Sequence, residues 1–283
     1  MRRFLLLIAL LSALLIAGSF AGGIHRSFDV LAMVRPALCL GCALGIIAAK
    51  QSLLRFTFFA IFLAAFASVL LFFLPQKPGG DFRVYTKNLW FANNQLPVLV
   101  KDIKQANVDA VMLQEVSDQN RHVLDLLRDE FPHQHLCRFS NWSGVAVVSK
   151  RRHISKPKCS TSRALAAVLT ESNGETLWLV SAHIPWPWPW DSSRNEIAAE
   201  ELLRSLDGKV VVAGDFNIFP WTSRVERITA ITKTEVAGPA RFTLTYRNIP
   251  LPIDFVLSPN GGSIEKRPLL GSDHAGLVAD LAL

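Results

Sequence analysis

The stretch Lys209-Val-Val-Val-Ala-Gly-Asp-Phe-Asn217 decides the fold. Its four apolar residues predict a short strand buried on both faces. The Gly-Asp-Phe-Asn sequence that follows is too constrained for a generic turn. Catalytic groups favour such strand ends, because the scaffold there is rigid while the side chains reach solvent. The stretch therefore predicts functional side chains at Asp215 and Asn217.

Polar residues follow apolar strands at several other places in the chain. These residues are Asn88, Glu115, His183, Asp254 and the pair Asp273 and His274. Taken singly, most also fit an ordinary role, such as a turn residue, a helix cap or a core histidine. Asp254 is harder to explain, because a carboxylate between two apolar neighbours needs a charged or hydrogen-bonded partner.

Strand and helix patterns alternate between residues 82 and 283. Strands are predicted at 82–88, 108–113, 144–149, 164–169, 176–184, 209–213, 253–257 and 276–281. Helices are predicted at 95–105, 118–131 and 193–206. The alternation indicates an α/β fold built as a layered sandwich.

The first 74 residues differ from the rest in composition. They carry six Lys or Arg and one Asp, a charge of +5, whereas the remaining 24 basic and 22 acidic residues give +2. Three apolar stretches, 4–20, 30–49 and 53–74, approach the roughly 20 residues that cross a bilayer. We therefore expect a membrane anchor of two or three transmembrane helices at 1–74, a linker at 75–81 and a catalytic domain at 82–283. In the second stretch, Arg35 must snorkel or the span must extend past Lys50.

The first stretch also fits a signal peptide, but the predicted topology is the same either way, provided that the second stretch spans. If the second stretch does not span, the predicted topology reverses. Where it spans, Arg2 and Arg3 stay inside, and the catalytic domain emerges on the extracytoplasmic, periplasmic side of the cell membrane. Cys137 and Cys159 would then meet an oxidising compartment, where a disulfide is expected.

The ordered set of motifs resembles the endonuclease/exonuclease/phosphatase family, the metal-dependent phosphodiesterases related to pancreatic deoxyribonuclease. The motifs are Asn88, Gln114-Glu115, Ser181-Ala-His183, Gly214-Asp-Phe-Asn217, Ile253-Asp-Phe255 and Ser272-Asp-His274. The resemblance covers nearly all of residues 82–283. It implies a four-layered α/β sandwich of two packed mixed sheets. It also implies hydrolysis of a phosphate ester by water, with Mg²⁺ or Mn²⁺ as the cofactor.

The resemblance also implies a metal site. Glu115 corresponds to the family's principal metal carboxylate, with Asn88 beside it as a ligand or water-mediated neighbour. Asp273 would be a more distant or second-site carboxylate. Hard divalent ions prefer such oxygen ligands, and they neutralise the charge that makes a phosphodiester repel hydroxide.

Five further residues receive catalytic roles from the resemblance. His274 matches the family's active-site histidine, and Asp254 matches the carboxylate that orients it. Asn217 would donate a hydrogen bond to the phosphoryl oxygen. Asp215 would align or deprotonate the attacking water, or protonate the leaving oxygen. His183 would contact the phosphate or the leaving group.

The substrate stays open at this point, and a phosphodiesterase or nuclease is the leading interpretation. The alternatives are a phosphatase or phospholipase acting on phosphorylated lipids or small phosphate esters, and a binding module with a decayed site. The domain's charge of +2 argues against tight non-specific DNA binding. The Pro185-Trp-Pro-Trp-Pro-Trp190 loop suits a bilayer interface, stacking on single-stranded bases, or packing on its own domain. The expected partners are therefore a nucleic-acid or phospholipid substrate and the lipid bilayer, and we expect a monomer.

Overall fold

Two six-stranded sheets form the centre of residues 82–283. The computed structural model describes residues 1–75, 79–172, 174–189 and 191–283. The first sheet has the order β13 (Gly262–Lys266), β14 (Leu277–Leu281), β1 (Phe82–Asn88), β2 (Ala110–Gln114), β4 (Gly144–Ser149) and β3 (His133–Arg138). The second has the order β5 (Lys158–Cys159), β6 (Leu165–Ser172), β7 (Glu175–His183), β8 (Lys209–Asp215), β12 (Asp254–Ser258) and β9 (Glu235–Val236). Both sheets are mixed, because β1–β2 and β7–β8 are parallel and the other pairs are antiparallel.

The two sheets pack face to face and helices cover their outer faces. Val84, Met112 and Val147 of the first sheet share one buried cluster with Leu179 and Val211 of the second. The helices α5 (Leu96–Gln105) and α6 (Val123–Leu127) cover the first sheet, and α7 (Ser193–Arg204) and α8 (Ser223–Thr232) cover the second. Each sheet is therefore apolar on both faces, and the predicted four-layered sandwich is confirmed.

Several sequence-based element predictions were wrong in detail. The strand predicted at 82–88 is present, but its residues do not alternate between buried and exposed as in a half-buried strand, because six of the seven are buried and Arg83 alone is half-buried. The helix predicted at 118–131 shrinks to α6, since Asn120 donates to the carbonyls of Trp90 and Glu115 and holds the first part as a turn. The strands β3 and β13, the helix α8 and a hairpin, β10 (Leu244–Tyr246) with β11 (Ile249–Leu251), were not predicted.

The first 74 residues contain four helices: α1 (Arg2–Gly18), α2 (Ser27–Met33), α3 (Arg35–Ala48) and α4 (Ser52–Leu70). Among the described residues, one helical stretch, Ser52–Phe73, is by itself long and apolar enough to cross a membrane. Its 22 residues span about 33 Å, slightly more than a bilayer's hydrocarbon core. The helix α1 has only 17 residues, and α2 and α3 meet at a bend of 66°. The expectation of two or three transmembrane helices at 1–74 is therefore corrected to one candidate span, or two if the bent pair is a single span.

The side chain of Arg35 is enclosed by the N-terminal helices, and α3 ends at Ala48, before Lys50. Arg35 is buried at the start of α3, where its guanidinium donates to the hydroxyls of Ser19 and Ser68 and to the carbonyl of Ser19. The guanidinium also lies 4.0 Å from the ring centroid of Phe20. The bend between α2 and α3 lets neighbouring helices satisfy this charge internally.

The N-terminal helices contact the sandwich of residues 82–283 at one end. Asp29 Oδ1 accepts a hydrogen bond from the backbone N–H of Ser223 at 2.8 Å, at the first residue of α8. Trp221 Nε1 donates to the carbonyl of Ala32 at 2.8 Å. The ring of Phe73, at the end of the apolar stretch, lies against Trp221. The predicted linker at 75–81 includes residues 76–78, which lie outside the described part of the chain.

Candidate active site

The sheet topology brings the predicted strand ends to one edge of the sandwich. Asn88 lies opposite Gln114 in the parallel pair β1–β2, so Asn88 and Glu115 emerge side by side. His183 lies opposite Asp215 in the parallel pair β7–β8. The antiparallel strand β12 begins at this same edge, with Asp254 opposite Asp215. Both sheets therefore contribute side chains to a single site.

The backbone is strained where functional side chains leave the strands. Glu115 has φ of 53° and Asn217 has φ of 50°, in the left-handed region that non-glycine residues rarely occupy. Gly214 also has a positive φ, of 152°. In addition, the packing at this position requires glycine, because a Cβ there would lie 2.0 Å from the carbonyl oxygen of Ala182. Such strain costs about 1 kcal/mol or more per residue and clusters at functional sites.

Asn88 joins two carboxylates. Its amide nitrogen donates to Glu115 Oε1 at 3.1 Å and to Asp215 Oδ2 at 3.0 Å, while its oxygen accepts from the N–H of Trp90. His183 Nε2 lies 3.8 Å from both Glu115 Oε1 and Asp215 Oδ2. The predicted residues Asn88, Glu115, His183 and Asp215 thus form one contiguous cluster.

The environment of Asp215 raises the pKa of its carboxyl group toward neutral pH. Burial, followed by repulsion from Asp254, raises the pKa of Asp215 to about 6, although His274 and His183 act in the opposite direction. The amide of Asn88 also stabilises the ionised form. A carboxylate with this pKa is ionised at neutral pH and is a suitable proton acceptor there.

Asp254 and His274 form a buried pair. His274 Nδ1 lies 2.8 Å from Asp254 Oδ2, and His274 Nε2 points toward Asp215 Oδ2 at 3.8 Å. Burial alone would lower the pKa of His274, but Asp254 and then Asp215 outweigh it and raise the pKa to about 10. The histidine is therefore protonated at neutral pH. This pairing supplies the partner that an acid in an apolar strand needs.

Lys87, which the sequence analysis missed, and Ser272, which it named only as part of a motif, support this pair. Lys87 is buried and donates from Nζ to the carbonyl of His274 at 2.7 Å. Burial lowers the pKa of Lys87 to about 8, despite the opposing effect of nearby carboxylates. Ser272 Oγ donates to the carbonyl of Asn88 and accepts from the N–H of His274. The signal for Lys87 was its position directly before Asn88, at the end of a predicted strand.

Asn217 is buried in the cluster, whereas Asp273 lies at its exposed rim. The Asn217 side-chain amide is buried and donates to the carbonyl of Ile184 at 3.1 Å and to Asp215 Oδ2 at 3.3 Å. Its amide hydrogens are therefore engaged within the protein rather than directed at solvent. Asp273 is exposed at the rim, where Ser272 Oγ lies 3.5 Å from its carboxylate. Asp273 acts on His274 by charge, since it contributes to raising the pKa of that histidine.

The Trp/Pro loop leaves the site directly after His183. Trp186 is half-buried against the cluster that contains Trp221, whereas Trp188 is 69% exposed. The third predicted indole, Trp190, lies outside the described residues. Arg224, fully buried, donates to the carbonyl of Pro185 at 3.1 Å and fixes the start of the loop. The interpretation that the indoles pack on their own domain is therefore correct for Trp186 and wrong for Trp188.

The donor set fits a divalent cation. Glu115, Asp215 and Asp254 place three carboxylates close together, and repulsion from Asp254 adds to burial in raising the pKa of Asp215. A divalent ion would relieve that repulsion. The ligand atoms of Asp215, Asp254 and His274 also lie within 4.8 Å of one another. All three of these residues are buried, however, and Asp254 and His274 are already hydrogen-bonded to each other. The side chain of Glu115 is 20% exposed and is the accessible carboxylate of the cluster.

Comparisons with known proteins agree with this geometry. A sequence profile of the Endonuclease/Exonuclease/phosphatase family matches residues 86–274. No curated protein matches the chain in sequence. Among solved structures, an endonuclease/exonuclease/phosphatase family protein from Leptotrichia buccalis is similar with a TM-score of 0.57 and 14% identity, over 72% of this chain and 100% of that one.

Two further solved structures share the fold. Beta toxin from Staphylococcus aureus, in a variant with bound magnesium ions, has a TM-score of 0.54 and 15% identity, over 71% of this chain and 100% of that one. TDP2 from D. rerio, complexed with a single-strand DNA product, has a TM-score of 0.54 and 14% identity, over 70% and 97%. At these identities the similarity is one of fold.

Proposed function

The chain belongs to the endonuclease/exonuclease/phosphatase family, and on that premise we propose that it is a membrane-anchored phosphodiesterase that uses Mg²⁺ or Mn²⁺. As a member of this family it is a hydrolase of phosphate esters, and the family's enzymes depend on a divalent metal. The observation that carries the proposal is the convergence of Glu115, Asp215 and the Asp254–His274 pair at one edge of the sandwich.

The proposed mechanism divides proton transfer and charge stabilisation between two residues. Asp215, with a pKa near 6, accepts the proton of the attacking water. His274, kept protonated by Asp254, donates through Nε2 to the oxygen that carries the developing negative charge. His183, next to Asp215, contacts the phosphate or the leaving group. Asn88 and Asn217 hold Asp215 in place through their amide hydrogens.

We assign the metal to the accessible side of the carboxylate cluster. Glu115 would hold it, with Asn88 orienting that carboxylate and Asp273 contributing charge from the rim. A bound divalent ion would neutralise charge on the phosphate ester. The oxygen of Asn88 accepts from the N–H of Trp90, so Asn88 would act on the ion through its hydrogen bond to Glu115.

The anchor helices support a topology with the catalytic domain outside the cytoplasm. Arg2 Nε donates to the carbonyl of Ala48, and the guanidinium of Arg55 donates to the carbonyl of Ala49. These basic residues therefore gather at one end of the helices, whereas Phe73 meets the catalytic domain at the other end. Basic residues favour the cytoplasmic side. The Cys137–Cys159 disulfide agrees with an oxidising compartment.

A phosphatase or phospholipase acting on membrane lipids is the second candidate function. It is favoured by the short path from the apolar helix to the catalytic pair. The Phe73 ring lies 5.2 Å from the Phe242 ring, and the next residue, Thr243, accepts from the N–H of Asp254 through its hydroxyl. A decayed binding module is disfavoured, since the carboxylates and the histidine pair remain together.

The test is an activity panel with the full-length protein in detergent micelles and in vesicles. Plasmid DNA, single strands, lipid phosphate esters and bis(4-nitrophenyl) phosphate are offered with Mg²⁺, Mn²⁺ or a chelator. We expect hydrolysis that the chelator abolishes and that either ion restores. Hydrolysis of none of these esters by the folded protein would contradict the proposal.

A further inference from the structure

The β10–β11 hairpin exposes a bulky face beside the catalytic site. Tyr246 is 57% exposed and Ile249 is 60% exposed, and Phe242, just before the hairpin, is 43% exposed. These three side chains are called the hairpin face below. Exposed apolar side chains that lie close together mark an interaction site more often than scattered ones do.

The strand register shows where the hairpin face leads. Leu244 pairs with Leu251, and Tyr246 pairs with Ile249. Residues two apart in a strand point to the same side, so both pairs share one face. Leu244 and Leu251 pack against the cluster that includes Val69 of α4. Tyr246 and Ile249 therefore continue outward the surface that joins the catalytic domain to the apolar helix.

The hairpin face is also attached directly to the end of that helix. Phe242 and Phe73 have ring centroids 5.2 Å apart, and the backbone N–H of Ala240 donates to the carbonyl of Phe72 at 2.7 Å. Where α4 crosses a bilayer, Phe73 lies at its surface, and the hairpin face begins one side chain away. This short attachment holds the hairpin at the surface at a high effective concentration.

The side chains of the hairpin suit the headgroup region of a bilayer better than bulk water. Tyrosine has an apolar ring and a polar tip, the combination enriched at membrane interfaces. Arg247 lies in the tight turn at the tip, with its guanidinium 5.5 Å from the Tyr246 ring centroid. A cation at that position is attracted to the phosphates of anionic lipids.

We propose that the hairpin face dips into the headgroup region of the bilayer and presents the catalytic site to phosphate esters carried by lipids of the same membrane. The base of the hairpin forms part of the catalytic wall, because Thr243 bonds to the backbone of both Asp254 and Ala275. Lipid phosphates at the hairpin would therefore lie near His274. This inference rests on the proposed hydrolase activity and on membrane anchoring through α4.

Depth measurement tests the contact without using activity. A nitroxide is attached at Ile249→Cys in the full-length protein, in vesicles of phosphatidylethanolamine and phosphatidylglycerol. Leu126→Cys on α6, 41% exposed, is the matched control, and the labelled parent measures background from Cys39 and Cys42. We expect the label at 249 to be accessible to oxygen and several-fold less accessible than 126 to a water-soluble nickel complex. Equal nickel accessibility at the two positions would overturn the proposal.

The same label distinguishes a bilayer from a protein partner. Shielding at 249 that persists in detergent micelles and increases with protein concentration would mean that a second copy covers the hairpin, which overturns the proposal. Shielding that requires vesicles supports it.

Kinetics test the substrate class. The variant carrying Tyr246→Ser and Ile249→Ser is assayed on phosphatidic acid and sphingomyelin in vesicles and on soluble bis(4-nitrophenyl) phosphate, with Leu126→Ser as control. We expect at least tenfold loss on the vesicle substrate that the wild type cleaves, and less than twofold change on the soluble ester. Equal losses on both kinds of ester would contradict the role of the hairpin, as would a wild type that cleaves only soluble esters. A wild type inactive on every ester would contradict the proposed function instead.

Discussion

Asparagine in place of Asp254 removes a charge from the catalytic pair while keeping its shape. The buried carboxylate faces His274 Nδ1 at 2.8 Å. The rise in the pKa of His274 from 6.5 to about 10 corresponds to about 5 kcal/mol, at about 1.4 kcal/mol for each pKa unit. Asp254 is the first of the carboxylates that produce this rise, with Asp215 and Asp273 adding to it. If Asp254 supplies about half of that energy, the pKa of His274 in Asp254→Asn falls to near 8.

This fall has a defined consequence for the pH dependence of activity. A raised pKa keeps His274 protonated until the pH passes that pKa, so the wild type retains the proton up to about pH 10. Asp254→Asn is expected to lose activity as the pH rises through about 8. Misorientation of the imidazole reduces kcat further, by about 100-fold or more at all pH values. The assay is the pH–rate profile on bis(4-nitrophenyl) phosphate, with circular dichroism to verify folding.

A double-mutant cycle tests whether the two residues act together. Because Asp254 is proposed to work through His274, the double variant Asp254→Asn/His274→Ala should be no slower than His274→Ala alone. Fully additive losses, or an unshifted alkaline limb in Asp254→Asn, would refute the reasoning.

Three further predictions concern stability. Asp29→Ala removes the acceptor for the N–H of Ser223 at the start of α8. It should lower the free energy of unfolding of the protein by about 1–2 kcal/mol, as the loss of a helix cap does. Thermal melts should show Asp29→Asn closer to the wild type. Reduction of Cys137–Cys159, which closes a loop with a sequence separation of 22, should cost about 3 kcal/mol in the chain-entropy picture, and an unchanged denaturant midpoint would refute this. Burial, aided by nearby histidines, lowers the pKa of His153 from 6.5 to about 4 in the folded protein. Between these two pH values the unfolded chain binds a proton that the folded protein does not, so the free energy of unfolding falls as the pH drops from 6.5 toward 4. His153→Gln should flatten that part of a profile of melting temperature against pH.

Much of the catalytic domain was predictable because its signals are local. The apolar run before Gly214 and the helical spacing at 95–105 correspond to β8 and α5. The order of the motifs identified the family, because few other arrangements of strand ends need that series of carboxylates, amides and histidines. The apolar neighbours of Asp254 indicated that this acid needs a partner, and the family resemblance identified His274 as that partner.

Other features depend on contacts distant in sequence. The strand β1 is buried on both faces because α5 covers one side and the second sheet the other, which no alternation in residues 82–88 encodes. Arg35 is satisfied by Ser19 and Ser68 on neighbouring helices, so its charge did not exclude a buried position. Lys87 and Ser272 likewise donate to carbonyl groups about 180 residues away in the sequence, those of His274 and Asn88. Such contacts arise only when the whole sandwich assembles.

The most direct measurement is the metal-dependent hydrolysis of bis(4-nitrophenyl) phosphate by the full-length wild type and by Glu115→Ala. Glu115 is the accessible carboxylate of the cluster and is linked to Asp215 through Asn88. We predict that the wild type requires Mg²⁺ or Mn²⁺, and that folded Glu115→Ala loses at least 100-fold in kcat/KM. The same variant should need a higher metal concentration for any residual activity. Full activity of Glu115→Ala in Mg²⁺, or wild-type hydrolysis unaffected by a chelator, would contradict the account.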